Sequence, residues 1–491
     1  MLLGNVLVIS LVGRFMGALA LAEYLVLRRV VAWMQTAFPL GLGVAQARYV
    51  AHAHGRKDGQ QGSYFAATLL ILATVAVTLG ITLNLGRDTF ARWLFGTDQQ
   101  MPHLIFPLTV LIAGIAVHIA VYGYYRGCLQ MQMANTLQTI NYGVLPIAAI
   151  LALARTRSVA VIVTVTGAGM AIFAFGFSLP ILREVFSRAR QWPFRQGAEL
   201  LRYGLARVPG DFGGGALFAL GPMIALHYLP LTQVSYLLLG LSLLTGVSVS
   251  VAPLGLVLLS KVSMMLASNR LEEVQTSLRY LLTSILETSV FVGIQIVIFA
   301  DVLLRVWLGP GYVDRITVTR IVVLAIPFHL YYAALRSFID AACVKAYNAM
   351  NILVSLMVFL VLSGATVLFV PRNLLLEGLA TALLIAIAVL GWTTARAVKT
   401  IFHTSIDWRR SLPPLMVALA LGAVSLLFRW KTGFRLDVLE SAIVGSLMGL
   451  VFVAFLAVQR SSWMVYFLQI AFPKWRIPAR SATGLGKLSL S

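Results

Sequence analysis

Long apolar runs recur from one end of the chain to the other, and this constrains the fold more than any other feature. A bilayer core takes about 20 consecutive apolar residues per helix. Stretches of that length are separated here by short polar joints, with no block polar enough to form an aqueous domain. Of the 491 residues, 59% are hydrophobic and 11% charged. A soluble domain carries about 25% charged residues. Less than half that charge cannot cover so long a chain in water, so the pattern predicts an all-α polytopic membrane protein of about fourteen helices.

The expected spans are 2–21, 30–51, 64–85, 104–124, 133–153, 159–182, 203–227, 234–258, 280–300, 318–338, 349–369, 375–397, 414–428 and 438–458. The tail 459–491 is expected to open with an interfacial helix, Trp463 to Phe472. The net charge of +21 would suggest nucleic acid on a soluble protein. Here the basic residues fall in short joints, where Lys and Arg set topology, so no nucleic-acid partner is expected. An even helix count puts both termini on one side. That side holds the larger basic share, including Arg56, Lys57, the stretch Arg183 to Arg202 with Arg188, Arg190 and Arg195, Lys261, Arg270 and the tail, and is expected to be cytoplasmic. Arg28, Arg29, Arg305 and Arg429 fall on the other side. The longest loops there, 87–103 and 301–317, leave no room for an enzymatic domain. The first run lacks the basic leader of a cleavable signal and opens almost directly in a helix, which would suit a short leader before it. Two cysteines, Cys128 and Cys343, make neither a disulfide framework nor a zinc site and are expected to be reduced small hydrophobes.

An internal repeat organises the spans. Pro39-Leu40-Gly41-Leu42 returns as Pro253-Leu254-Gly255-Leu256, and Arg56 and Arg270 stand at that same spacing. Nearly the same spacing relates Tyr124-Tyr125-Arg126 to Tyr331-Tyr332 and Arg336, with Cys128 and Cys343 just beyond. Helices 1 to 6 and 7 to 12 therefore read as two copies of one unit. Each copy is even-numbered, so both point the same way, a parallel repeat with a path between the halves. The boundaries expected are 1–190 for the first lobe, 191–408 for the second, and 409–458 for two appended helices.

Three segments carry a resemblance. The second helix ends Gly41-Leu42-Gly43-Val44-Ala45-Gln46-Ala47-Arg48-Tyr49-Val50-Ala51. The seventh opens Leu201-Arg202-Tyr203-Gly204-Leu205-Ala206-Arg207-Val208-Pro209. A far-side loop reads Leu304-Arg305-Val306-Trp307-Leu308-Gly309-Pro310-Gly311-Tyr312. These segments, with the twelve-plus-two layout, resemble the polysaccharide transporter family, the lipid-linked oligosaccharide flippases of the multidrug/oligosaccharidyl-lipid/polysaccharide exporter superfamily. The resemblance implies carriage of an undecaprenyl-pyrophosphate-linked glycan to the outer leaflet of a bacterial inner membrane, with membrane lipids and glycan polymerase or ligase machinery as partners. A cation-coupled drug exporter would share the fold, with an acid-rich cavity. A non-transporting envelope scaffold is the third reading.

Charges within spans are functional candidates by default. Arg14 lies midway along the first helix with no acid within four residues, and is a candidate contact for pyrophosphate or an interfacial residue. Arg207 and Asp211 share a helix face and are expected to form a self-satisfying or switchable pair, in a stretch made bendable by Pro209, Gly210, Gly213, Gly214, Gly215 and Pro222. Glu287 would pair with a cavity arginine or carry a coupling proton, or serve as a structural hydrogen-bonding group beside Gln295. Arg126 and Arg336, with Asp340 four residues past Arg336, would catch an anion at the mouth or anchor the helix ends. Arg48 and Lys261 read the same way. His118 and His227 read as packed polar groups. No nucleotide-binding loop, hydrolase elbow or metal-ligand spacing occurs, so neither a cofactor nor intrinsic ATP use is expected.

Overall fold

The computed structural model describes residues 2–56, 59–96, 101–188, 194–312, 314–343, 346–432 and 438–459. Lys57, Arg190 and the expected helix Trp463–Phe472 lie outside them, as do the side chains of Arg188 and Lys261. Every regular element among the described residues is helical. In chain order these are α1 (Leu2–Met16), α2 (Ala18–Ala37), α3 (Leu42–Arg56), α4 (Gln61–Leu85), α5 (Arg87–Phe95), α6 (Ile105–Gly127), α7 (Met131–Thr139), α8 (Leu145–Leu153), α9 (Val159–Arg188) and α10 (Phe194–Leu205). There follow α11 (Val208–Leu226), α12 (Leu231–Ala267), α13 (Leu271–Ile298), α14 (Ala300–Leu308), α15 (Ile316–Val323), α16 (Ile326–Ala342), α17 (Tyr347–Phe369), α18 (Leu375–Phe402), α19 (Trp408–Lys431) and α20 (Val438–Val458).

Among the described residues, eleven helical segments are long and apolar enough to cross a membrane. The short α1, the broken rod α2–α3 and α11 complete the expected set. We call the face at which α1 begins the near face and the opposite one the far face. Because lipid is as apolar as leucine, helices in a bilayer associate through close packing and internal polar contacts. The tight seam between α6 and α9 shows the first: a Cβ on Gly114 would lie 2.3 Å from the Gly167 carbonyl oxygen.

The first two spans depart from expectation. The first helix ends at Met16, where Gly17 turns the chain at φ 93°. A helix begins at once, so Arg28 and Arg29 sit inside α2 rather than in a loop. The polarity of residues 23–29 imitates a loop, but α2 and α3 add 20 and 15 residues to one rod. Its partner in the repeat, α12, is a single helix of 37 residues. At 1.5 Å per residue that is about 55 Å, well beyond a hydrocarbon core of about 30 Å, so the helix is longer than the core is thick. The rod α2–α3 breaks at Phe38–Gly41, where Leu40 and Gly41 take φ of 53° and 69°. Its repeat-mate Pro253-Leu254-Gly255 lies in unbroken helix. A proline is tolerated inside α12 because neighbouring helices can re-satisfy the freed backbone groups.

The expected loop 87–103 contains α5, and 301–317 contains α14. Both are amphipathic nine-residue helices on the far face. Asp88, Arg92 and Gly96 recur at one constant spacing as Asp301, Arg305 and Gly309, and each glycine ends its helix with positive φ, 88° and 110°. The seventh span is two helices: amphipathic α10 on the near face, then α11, with a break at Ala206–Arg207. In the fifth span a π turn, Ile140–Val144, joins α7 to α8.

Candidate functional site

The halves meet on the near face, where α10 packs on α3 and α4, and along the seams that follow. Helix α2 packs on α11 and α12, α1 packs on α14, and α11 packs on α5. The last two contacts are mates in the repeat: the opening helix of each half presses the amphipathic helix of the other half.

At the α1–α14 seal the acceptors are main-chain carbonyls. Ser10 Oγ donates to Trp307 O at 2.8 Å, Trp307 Nε1 donates to Val6 O at 2.8 Å, and Tyr312 OH donates to Gly13 O at 3.2 Å. Arg14 donates to Trp307 O at 3.3 Å through Nε and to Val306 O through Nη2. These carbonyls end α14, where the last turn has no intrahelical donors and the helix dipole is negative. The guanidinium therefore caps a helix across the interface while remaining exposed.

The α11–α5 seal is built from shape. A Cβ on Gly96 would lie 2.1 Å from Leu226 O, and one on Gly215 would lie 2.8 Å from Thr36. Trp33 of α2 bridges the two helices, 6.0 Å from the Trp93 ring and 5.3 Å from Phe212.

On the near face Arg207, the residue capping α11, donates to Tyr203 OH at 3.3 Å, and Arg48 stands over the Tyr203 ring at 4.7 Å. The expected Arg207–Asp211 pair does not close as an ion pair. Asp211 instead shares an electrostatic field with Arg207, Arg336 and Asp340. Asp340 accepts from Asn348 Nδ2 at 2.7 Å, and the same amide donates to Arg336 O at 2.9 Å.

Arg126 and Arg336 each end a ladder of side chains. In α6, His118 stacks on Tyr122 at 5.5 Å and Arg126 stands 5.5 Å over Tyr122. In α16, His329 stacks on Tyr332 at 6.3 Å, with Arg336 one turn further along the helix. His118 bonds Asn141 in the π turn at 3.0 Å. His329 packs on Phe218 of α11, and its Nδ1 is buried without a protein partner. His329 escaped the sequence reading because its repeat spacing differs by one residue from that of Tyr122 and Tyr332. His227 bonds Met223 O at 2.8 Å.

Glu287 does not reach an arginine. It is buried in α13, and one carboxylate oxygen lacks a hydrogen-bond partner, as do both polar atoms of Gln295. The buried charge pairing lies elsewhere. Arg429 of α19 grips Asp301 of α14 with two bonds, 2.7 and 2.6 Å, and also donates to Ile298 O. Arg320 adds a bond to Asp301 at 3.3 Å and one to Val297 O at 3.1 Å. Arg429 is 0% exposed and Asp301 6%. Both residues were visible as charges beside apolar runs, but nothing in the chain says that residues 128 apart in sequence meet there. Cys128 and Cys343 are free thiols. Among the described residues no group of three His, Cys, Asp or Glu side chains could hold a metal ion.

Arg14, Arg28, Arg29, Arg48, Arg126, Arg207 and Arg336 form no ion pair among the described residues, whereas the most buried aspartate is fully paired. Of these arginines, Arg14, Arg48 and Arg207 stand at contacts between the two halves.

This fold is shared with solved transporter structures. The chain is similar to the lipid II flippase MurJ in an inward closed conformation, at TM-score 0.69 and 12% identity, over 92% of this chain and 96% of that one. It is similar to an inward-facing multidrug-resistance MATE transporter of the MOP superfamily, at TM-score 0.64 and 17% identity, over 82% and 96%. It is also similar to the Vibrio cholerae MATE transporter VcmN, at TM-score 0.58 and 16% identity, over the same shares. At these identities the likeness shows the fold. No family model matches the sequence, and no curated protein does.

Proposed function

We propose that the chain is a flippase that carries an undecaprenyl-pyrophosphate-linked oligosaccharide from the cytoplasmic to the periplasmic leaflet of a bacterial inner membrane. The observation that carries this reading is the excess of unpaired guanidinia, with Arg14, Arg48 and Arg207 at contacts between the halves. A diphosphate cannot enter hydrocarbon without cations, and a glycan cannot enter it unaided, while the lipid tail stays in the bilayer. The near face is then cytoplasmic, with both termini there, in keeping with its basic joints. The two lobes, 1–190 and 191–408, rock about the α2–α11 contact, and 409–458 rides on the second lobe. Arg126 and Arg336 receive the diphosphate at the cytoplasmic mouth, Arg207 and Asp211 pass it inward, and Arg14 meets it when the far-face seal opens. Glycan polymerase or ligase machinery would consume the product. The likeness to MurJ, a lipid II flippase, supports the substrate class.

The test is a host deleted for this gene, with lipid-linked glycan probed on spheroplasts by an impermeant glycan-cleaving enzyme. Protected glycan should accumulate, and the wild-type gene should relieve it, whereas Arg207→Ala should not. An unchanged pool and sidedness would falsify the flippase reading.

A cation-coupled exporter is the second reading, and one observation favours it: Glu287 is a buried carboxylate with no basic partner. It predicts drug sensitivity in the deleted host that Glu287→Gln fails to relieve.

A further inference from the structure

Tyr203 sits where the two halves touch on the near face. Its ring lies beneath the Arg48 guanidinium of α3, and its hydroxyl accepts a bond from Arg207, the residue that opens α11. The two arginines come from opposite halves. Both are exposed, and neither forms an ion pair among the described residues. The nearest acid on α10 is already engaged: Glu199 accepts from Tyr64 OH at 2.6 Å and lies 3.4 Å from Arg195. Asp211 stands four residues past Arg207 without closing on it.

The backbone brings the elements that carry the pair into direct contact. A Cβ on Gly41 would lie 2.4 Å from Gly204 O, and one on Gly204 would lie 2.2 Å from Leu40 O, so α10 is seated directly on the elbow of α2–α3. Tyr49 meets the Tyr203 ring edge-on at 6.1 Å and stacks on Tyr64 at 5.4 Å, walling one side. What remains is a pair of planar donor forks with a phenol between them. Such forks match phosphate oxygens bidentately, and the phenol hydroxyl offers a far weaker acceptor.

We propose that Arg48 and Arg207 form an anion clasp for a phosphate or diphosphate group, and that Tyr203 occupies it until the anion displaces the hydroxyl, tying α3 to α11. The identification of that anion with a lipid head group rests on the flippase reading; the clasp itself does not.

The test is calorimetric titration of the full chain in zwitterionic nanodiscs with inorganic pyrophosphate and, separately, with farnesyl diphosphate. Arg48→Gln and Arg207→Gln should each weaken binding by about tenfold or more. Arg48→Lys keeps the charge but loses the fork and should fall between. Tyr203→Phe keeps the ring and removes the competing acceptor, and should tighten binding a few-fold. Arg195→Gln should change nothing. Binding of both probes, or of pyrophosphate alone, marks a site for the phosphate group as such; binding of farnesyl diphosphate alone marks a head-group site. Either supports the clasp. Wild-type affinity in both arginine variants would overturn it, and so would loss of affinity in Tyr203→Phe to the level of Arg48→Gln. Failure to flip glycan with this pattern intact would remove the flippase reading and leave the clasp standing.

Discussion

Helices α5 and α14 begin from the same short text and end in different surroundings. Each carries an aspartate near its start, an arginine in its last turn and a glycine of positive φ at its end. Asp88 is 70% exposed and lies 3.6 Å from its neighbour Arg87, a contact that water screens. Asp301 is buried under Arg429 and Arg320. The difference comes from outside the repeat: α19 packs on the second half and brings Arg429 with it. A duplicated motif thus becomes an inter-helix lock in one copy and remains a solvated turn in the other. The value of a charge is set by what covers it.

Four substitutions would break or sharpen this contrast. The largest effect is expected for Arg429→Ala, which leaves the buried Asp301 carboxylate without its main partner and should cost about 3–5 kcal/mol of stability, read as thermal unfolding in detergent. Restoration of wild-type stability by adding Asp301→Ala is not expected, because both cavities would then be unfilled, but the double variant should lose less than the two losses added together. Next comes Gly96→Ala: positive φ with extended ψ is a backbone essentially reserved for glycine and costs an alanine about 1–3 kcal/mol, and the new Cβ also strikes Leu226 O, so yield of folded protein should fall sharply. Gly309→Ala meets no atom within 4 Å, so only the backbone cost of about 1–3 kcal/mol remains, and its melting should drop less than that of Gly96→Ala. The smallest effect belongs to Asp88→Asn, within about 0.5 kcal/mol by the same melting measurement. Equal losses for Asp88→Asn and Arg429→Ala would mean that burial does not separate the two copies.

The apolar runs disclosed the class, the number of spans and the repeat, because each span must satisfy its backbone internally and so announces itself by length. The candidate residues were legible as charges in apolar context, but their partners were not. Arg14 reads as a free cation until α14 is seen to end against it. Arg207 reads as the partner of Asp211 until Tyr203 is seen one turn earlier, on α10. Arg28 and Arg29 read as loop residues, since a hydropathy pattern marks where charge sits and cannot tell a loop from a rod shielded by another half. The π turn at Asn141, which aims that amide at His118, has no sequence signature at all; one extra residue in a turn leaves the composition unchanged.

The α1–α14 seal has a consequence for how such a chain can drift. Every acceptor in it, at Val6, Gly13, Val306 and Trp307, is a peptide carbonyl. Peptide carbonyls are the same whatever side chain a codon specifies. A seal latched on them is indifferent to the side chains at Val6 and Val306, whereas Trp307, which also donates from its own ring, and Gly13, which is crowded by Leu308 and Leu21, are held to their letters.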